Sequence, residues 1–240
     1  KTGVDRESKC SHDGAMKILA IDTALGAASA CLFDGASSEV LARETVWIDR
    51  GHDQTIIPLI DRVVAEGGGR ASIDRVAVTV GPGSFTGIRV GISAARAVGL
   101  AIGAPVVGVS TLSAYLAPLL LEWSDGVAAA AIDARHGRIY VAAFAGGNPI
   151  VPPRTAWPRD AVRAMGSGPL RLVGSGAAAL AIEAWSMGVA AEVISDAAAP
   201  DIAFVARLGA AAEAQSAPPR PFYLKAPDVK PPEPAVVSAD

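Results

Sequence analysis

Two stretches of this chain repeat each other. Ala20 to Phe33 reads AIDTALGAASACLF and Ala131 to Phe144 reads AIDARHGRIYVAAF, with Ala, Ile, Asp, Gly and Phe in equivalent places. In both, an apolar run ends in Asp, turns through Gly and resumes as a second apolar run, the pattern of a strand, a tight turn and an antiparallel return strand. An internal repeat names the architecture before any single motif does. It predicts two similar lobes, each opening with a hairpin, and puts Asp22 and Asp133 at equivalent positions facing each other. The 240 residues are enough for two lobes of roughly 100 residues each.

The rest of the pattern extends both copies. Lys17 to Asp22 reads as a buried strand, Ala27 to Phe33 as its hairpin partner and Val40 to Val46 as a third strand. His52 to Glu66 carries Ile56, Leu59, Ile60 and Val63 at helical spacing. Val76 to Val80 is a β-branched strand, followed by a glycine-rich loop and a helix over Gly87 to Ile102 that Pro105 ends before a strand at Val106 to Val109. Leu170 to Val173 is a further strand, with a helix from Ala177 and another over Ile202 to Ala214. The expected divisions are an N-terminal lobe over 16–110, a C-terminal lobe over 111–217 and a proline-rich segment over 218–240 that packs back on the first lobe before a mobile end. Residues 1–15, polar and aperiodic ahead of Met16, read as a vector-derived leader.

Composition excludes several classes. Hydrophobic residues make up 51% and charged ones 19%, which provides ample material for burial and too little charge for a disordered chain. The apolar runs are broken by Gly, Pro, Arg or Asp short of about 18 residues, so no membrane span is expected. Cys10 and Cys31 form no CxxC pair and no cluster with His, which argues against a disulfide framework or zinc site and for a reducing cytoplasm. The net charge is −3 with Lys and Arg scattered, so no basic face of the usual nucleic-acid type is expected.

Gly81 to Gly91, GPGSFTGIRVG, sits between a strand and a helix. Its glycines could expose backbone N–H groups to a phosphate at a helix N-terminus, or form a tight structural turn with Ser84 and Thr86 as caps. The string is neither GxxxxGK[ST] nor GxGxxG, and spacing alone leaves both readings open. Gly174-Ser175-Gly176 is a second strand-to-helix turn. Asp133, Arg135, His136 and Tyr140 combine acid, base and phenol, but strand alternation separates Tyr140 from Ile139 and Val141, so the four groups need not converge. His12, His52 and His136 are not spaced to hold a metal from one helix.

Together ILAIDTA, GPGSFTGIRVG, the Ile132 to Tyr140 string IDARHGRIY and the C-terminal YLKAPDVKPP resemble the TsaB (YeaZ) family, over Met16 to Pro232. The resemblance implies an α/β fold of the actin/Hsp70/sugar-kinase type, with two duplicated lobes and mixed sheets. It implies a non-catalytic, cytoplasmic subunit that pairs with catalytic TsaD, joins the ATPase TsaE in a larger complex, and serves threonylcarbamoylation of the anticodon-adjacent adenosine of tRNA. On this reading tRNA is met only through the complex, the isolated chain forms a homodimer, and neither cofactor nor metal is needed. A vestigial nucleotide cleft would draw on Asp22, Thr23, Ser84, Thr86, Asp133, Gly174 and Gly176. The partner surface is expected at Ile56, Leu59, Ile60 and Val63 on one helix and Arg89, Ser93, Arg96, Ala97 and Leu100 on the next. The alternatives are a nucleotide-binding kinase or a metallohydrolase of the same superfamily; the first needs nucleotide between the lobes, the second a helical metal pair.

Overall fold

The structure, a computed structural model, describes residues 16–69, 73–123 and 125–224. Its first sheet opens with the meander β1 (Lys17–Asp22), β2 (Ala27–Asp34) and β3 (Glu39–Trp47). The chain then passes through α1 (His52–Glu66) to β4 (Arg75–Gly81), and through α2 (Phe85–Ile102) to β5 (Val106–Ser110). β4 pairs in parallel with β1, and β5 with β4, giving the order β3-β2-β1-β4-β5.

After α3 (Thr111–Glu122) the sequence of events recurs. β6 (Val127–Asp133), β7 (Ile139–Ala145) and β8 (Asn148–Ala156) form the second meander. α4 (Pro158–Met165) leads to β9 (Leu170–Val173), and α5 (Ala177–Ser186) to β10 (Ala191–Ser195). The sheet order β8-β7-β6-β9-β10 is that of the first sheet, strand for strand. This is the duplicated, two-lobed, mixed-sheet α/β architecture that the repeat and the resemblance implied.

Two helices join the halves. α3 covers the face of the second sheet formed by Ala128, Ala130 and Ile132. α6 (Ile202–Ala211) returns to the first sheet, where Ile202, Val205 and Ala206 pack against Ile18, Ala20 and Ala77. With α1 and α2 on its other side, the first sheet is buried on both faces, which is why β1 reads as a continuous apolar run rather than an alternating one.

The repeat holds for the lobes but is one residue out for the strands. Leu19 and Ile21 face α1 and α2, while Ile18 and Ala20 face α6. In the second lobe the odd-numbered Ala129 and Ala131 face α4 and α5, and Ala130 and Ile132 face α3. Matching Ile21 with Ile132 therefore pairs residues on opposite faces, because a shift of one residue inverts a strand. The hairpins differ to match: Asp22 lies opposite Ser29, Asp133 opposite Ile139. The two aspartates end equivalent strands without occupying equivalent positions, which corrects the expectation that they face each other.

The partner surface expected on α1 also needs correction. Ile56, Leu59, Ile60 and Val63 are all 4% exposed or less and belong to the core beneath the first sheet. Each buried side chain of this size contributes roughly 1.5–3 kcal/mol by leaving water, and none can meet a second protein while the fold is intact. On α2 the expected residues Arg89, Ser93, Arg96, Ala97 and Leu100 are exposed and fall on one stripe, with Leu100 87% exposed. By length and composition α2 is apolar enough to cross a membrane, contrary to the sequence expectation. Here it is a packed helix whose inner side, Ile88, Ile92 and Ala95, lies in the core. The expected leader and the YLKAPDVKPP string beyond Leu224 lie outside the described residues.

Candidate functional site: the interlobe cleft and the outer face of α2

A cleft of about 650 Å³ opens between the lobes. The first lobe contributes Arg50, His52, Ser84, Phe85 and Thr86, the second Asp133, Arg135 and Tyr140, and the C-terminal segment Phe222, Tyr223 and Leu224. Of the sequence-derived cleft candidates, Ser84, Thr86 and Asp133 line it, whereas Asp22, Thr23, Gly174 and Gly176 are buried away from it.

Asp22 has no solvent exposure. Its Oδ1 accepts the Ala24 amide at 2.9 Å and a short hydrogen bond from the Thr79 hydroxyl. Burial raises its pKa above the usual carboxylate value, against the lowering effect of the Thr79 and Ala24 hydrogen bonds and of nearby His52. Asp22 Oδ2 and the Ser29 hydroxyl across the strand pair are buried without partners among the described residues. Asp133 makes the same local bond, its Oδ1 accepting the Arg135 amide at 2.8 Å, but is exposed at the cleft. Both carboxylates thus close turns onto the amide two residues ahead.

The glycine-rich loop is built for contact with the β1–β2 turn. A Cβ on Gly83 would stand 2.3 Å from the Ala24 oxygen, one on Gly87 2.1 Å from the Thr23 oxygen, and one on Gly91 2.5 Å from Thr23 Oγ1. Two of the donors that could cradle an anion are engaged internally: Ser84 N donates to the Ala24 oxygen at 2.7 Å, and Gly87 N to Ser84 Oγ at 3.3 Å. Ser84 is therefore the N-cap of α2, as one of the two sequence readings had it. The second turn is closed similarly, with Gly176 N donating to the Ala131 oxygen at 2.9 Å and Ser175 Oγ accepting from Asp133 N at 3.2 Å.

The C-terminal segment crosses both lobes. Gly108 N donates to the Ala217 oxygen at 2.9 Å and Phe222 N to the Val80 oxygen at 2.7 Å. Arg96 donates to the Pro219 oxygen at 2.8 Å, Arg89 Nε to the Tyr223 hydroxyl at 3.1 Å, and Thr155 Oγ1 to the Leu224 oxygen at 3.1 Å. The segment's aromatic pair was not singled out from sequence, although Phe222 and Tyr223 within a proline-rich stretch were a usable signal.

Fold and site together define a two-lobed protein of duplicated mixed sheets whose first-strand carboxylate is internal and whose cleft mouth carries its own C-terminal segment. Comparison with known proteins narrows this. The family model for TsaD, described as tRNA N6-adenosine threonylcarbamoyltransferase, matches residues 46–150. The chain is 41% identical over 136 residues to the Escherichia coli tRNA threonylcarbamoyladenosine biosynthesis protein TsaB, covering 54% of this chain and 55% of that protein. It is 40% identical over 132 residues to TsaB of Haemophilus influenzae, covering 52% of each. The matched region thus spans about half the length of these curated relatives. In fold, the solved YeaZ from Pseudomonas aeruginosa matches with a TM-score of 0.66 at 24% identity, over 87% of this chain and all of that one. Over part of its length the chain is thus similar to TsaB proteins, and it shares the fold of YeaZ.

Proposed function

We propose that this chain is the non-catalytic partner subunit in threonylcarbamoyladenosine biosynthesis. It pairs with a TsaD-type catalytic subunit, joins a TsaE-type ATPase in the larger assembly and acts on tRNA within that complex, in the cytoplasm. The observation that carries the reading is the position of Asp22. A carboxylate that would handle metal and phosphate must reach the cleft, whereas Asp22 is fully buried and spends Oδ1 on Thr79 and Ala24. The same feature weighs against the kinase alternative. The exposed stripe Arg89, Ser93, Arg96, Ala97 and Leu100 supports a protein partner on α2, and a second copy of the chain can use the same stripe when the partner is absent.

The test is reconstitution. The chain, its genomic TsaD relative, the ATPase and tRNA are combined, and modified adenosine is measured by mass spectrometry with each component left out in turn. The reading expects modification to require this chain and expects no turnover from the chain alone with ATP and magnesium. Turnover by the isolated chain contradicts it.

A further inference from the structure

We infer that the second lobe's β6–β7 turn and the neighbouring Trp157 form a direct RNA contact, with guanidinium groups meeting phosphate and the indole offering a stacking surface. The inference rests on the reading above that the chain works on tRNA, and replaces contact through partners alone with contact by this chain.

Three observations carry it. The first is charge left unpaired. Several arginines are neutralised or capped: Arg43 by Asp201, Arg62 by Glu44, Arg171 by Glu192, and Arg75 by three backbone oxygens. Arg50 from the first lobe and Arg135 from the second, both exposed and lining the cleft, and exposed His136 next to Arg135 in the turn have no ion pair or side-chain hydrogen bond among the described residues. Asp49 and Asp133 share the cleft, but Asp133 is directed to the backbone amide of Arg135.

The second is backbone geometry. Arg135 and His136 hold φ values of 62° and 53°, ahead of Gly137 at 71°. Left-handed backbone at two successive residues is the geometry of a tight hairpin turn, adopted here without glycine at either position, and it fixes both side chains at the turn's tip. The turn is held by Ala134 N to the Arg138 oxygen at 2.9 Å and Arg138 N to the Arg135 oxygen at 3.1 Å.

The third is the aromatic group beside it. The Arg138 guanidinium lies 4.8 Å from the Trp157 ring centroid, and Gly137 is close enough that an added Cβ would stand 3.1 Å from that ring. Trp157 is nevertheless 48% exposed. An exposed indole beside guanidiniums that no carboxylate neutralises among the described residues is a combination that recognises unpaired nucleotides, stacking the base and neutralising its phosphate. An acidic protein surface would use the charges but gains little from an exposed stacking face.

The probe is an anticodon stem-loop RNA, bound to the full chain in complex with its TsaD relative and followed by anisotropy across a salt series. Arg135→Ala and Arg138→Ala together should weaken binding and lower the slope of log affinity against log salt by about 1 per arginine. Trp157→Ala should weaken binding at least about fivefold with the slope retained. Circular dichroism and pull-down of the catalytic relative should be unchanged, and Arg135→Ala alone covers the case in which loss of the Arg138–Trp157 contact unfolds the turn. Unchanged affinity and slope in folded variants overturn the inference. Loss of the pull-down by folded variants assigns the patch to a protein face and overturns it equally. A wild-type chain that does not associate with the catalytic relative contradicts the proposed function instead; the same variants, titrated with RNA on the isolated chain, then decide the patch.

Discussion

Arg89 donates from Nε to the Tyr223 hydroxyl at 3.1 Å, tying the C-terminal segment to the outer side of α2. The Tyr223 ring lies 4.9 Å from that of Phe85, and the Arg89 guanidinium sits 3.8 Å from the Phe85 centroid, so three side chains form one stack. Because Leu224 accepts from Thr155 in the second lobe, the segment also links the lobes. Tyr223→Ala removes the ring contact and the hydrogen bond and should lower unfolding free energy by about 1–2 kcal/mol in urea titration. An unchanged midpoint would mean that the segment is held by its backbone bonds alone.

Gly87 tests whether the glycine-rich loop is a packing device. A Cβ there meets the Thr23 carbonyl oxygen, and the Thr23 side chain is itself bound into the buried junction of β1 with α2, its Oγ1 donating to the Gly87 oxygen at 2.7 Å. Gly87→Ala should cost about 1–3 kcal/mol or more by overpacking, although alanine favours helix by about 1 kcal/mol over glycine. A stabilised variant would show that the junction has room.

Asp22 gives the stability a pH dependence of definite sign. Its folded pKa is raised above 3.8 by burial, ahead of the lowering hydrogen bonds from Thr79 and Ala24. The folded protein holds this proton at pH values where the unfolded chain has released it, so the Asp22 contribution to stability falls as pH rises from the ordinary carboxylate value through the raised one, and is level above it. Asp22→Asn does not titrate. The stability of the variant minus that of wild type should therefore climb across that window and then plateau, as read from urea titrations at several pH values. A difference flat with pH would contradict the burial effect.

The two-lobed plan was legible because a strand, an Asp and a return strand recur in the sequence. The exact alignment was not, because β1 is apolar on both faces and matching Ile21 to Ile132 carries no mark of which face each occupies. Helical spacing found the inward face of α1 correctly, but spacing says only that a face is covered; the first sheet covers it, not a partner. Glycines at 83, 87 and 91 signalled a close approach without saying to what, and the answer is the Thr23–Ala24 backbone. α3, TLSAYLAPLLLE, is too uniformly apolar to show a period. β8, NPIVPPRTA, carries three prolines that argue against a strand, and it is tolerated because it lies at a sheet edge.

The central claim is that the chain acts by pairing through the outer stripe of α2, where Ala97 is exposed between Arg96 and Leu100. The decisive measurement is sedimentation and pull-down of wild type and Ala97→Glu with the genomic TsaD relative. A charge placed in a desolvated interface without a partner costs several kcal/mol on the order seen for unpaired buried ions, whereas on an exposed helix face it leaves the fold intact. The account predicts that wild type binds the relative, and that Ala97→Glu keeps its circular dichroism and unfolding midpoint while losing both self-association and the partner. Undiminished association in the folded variant would contradict it.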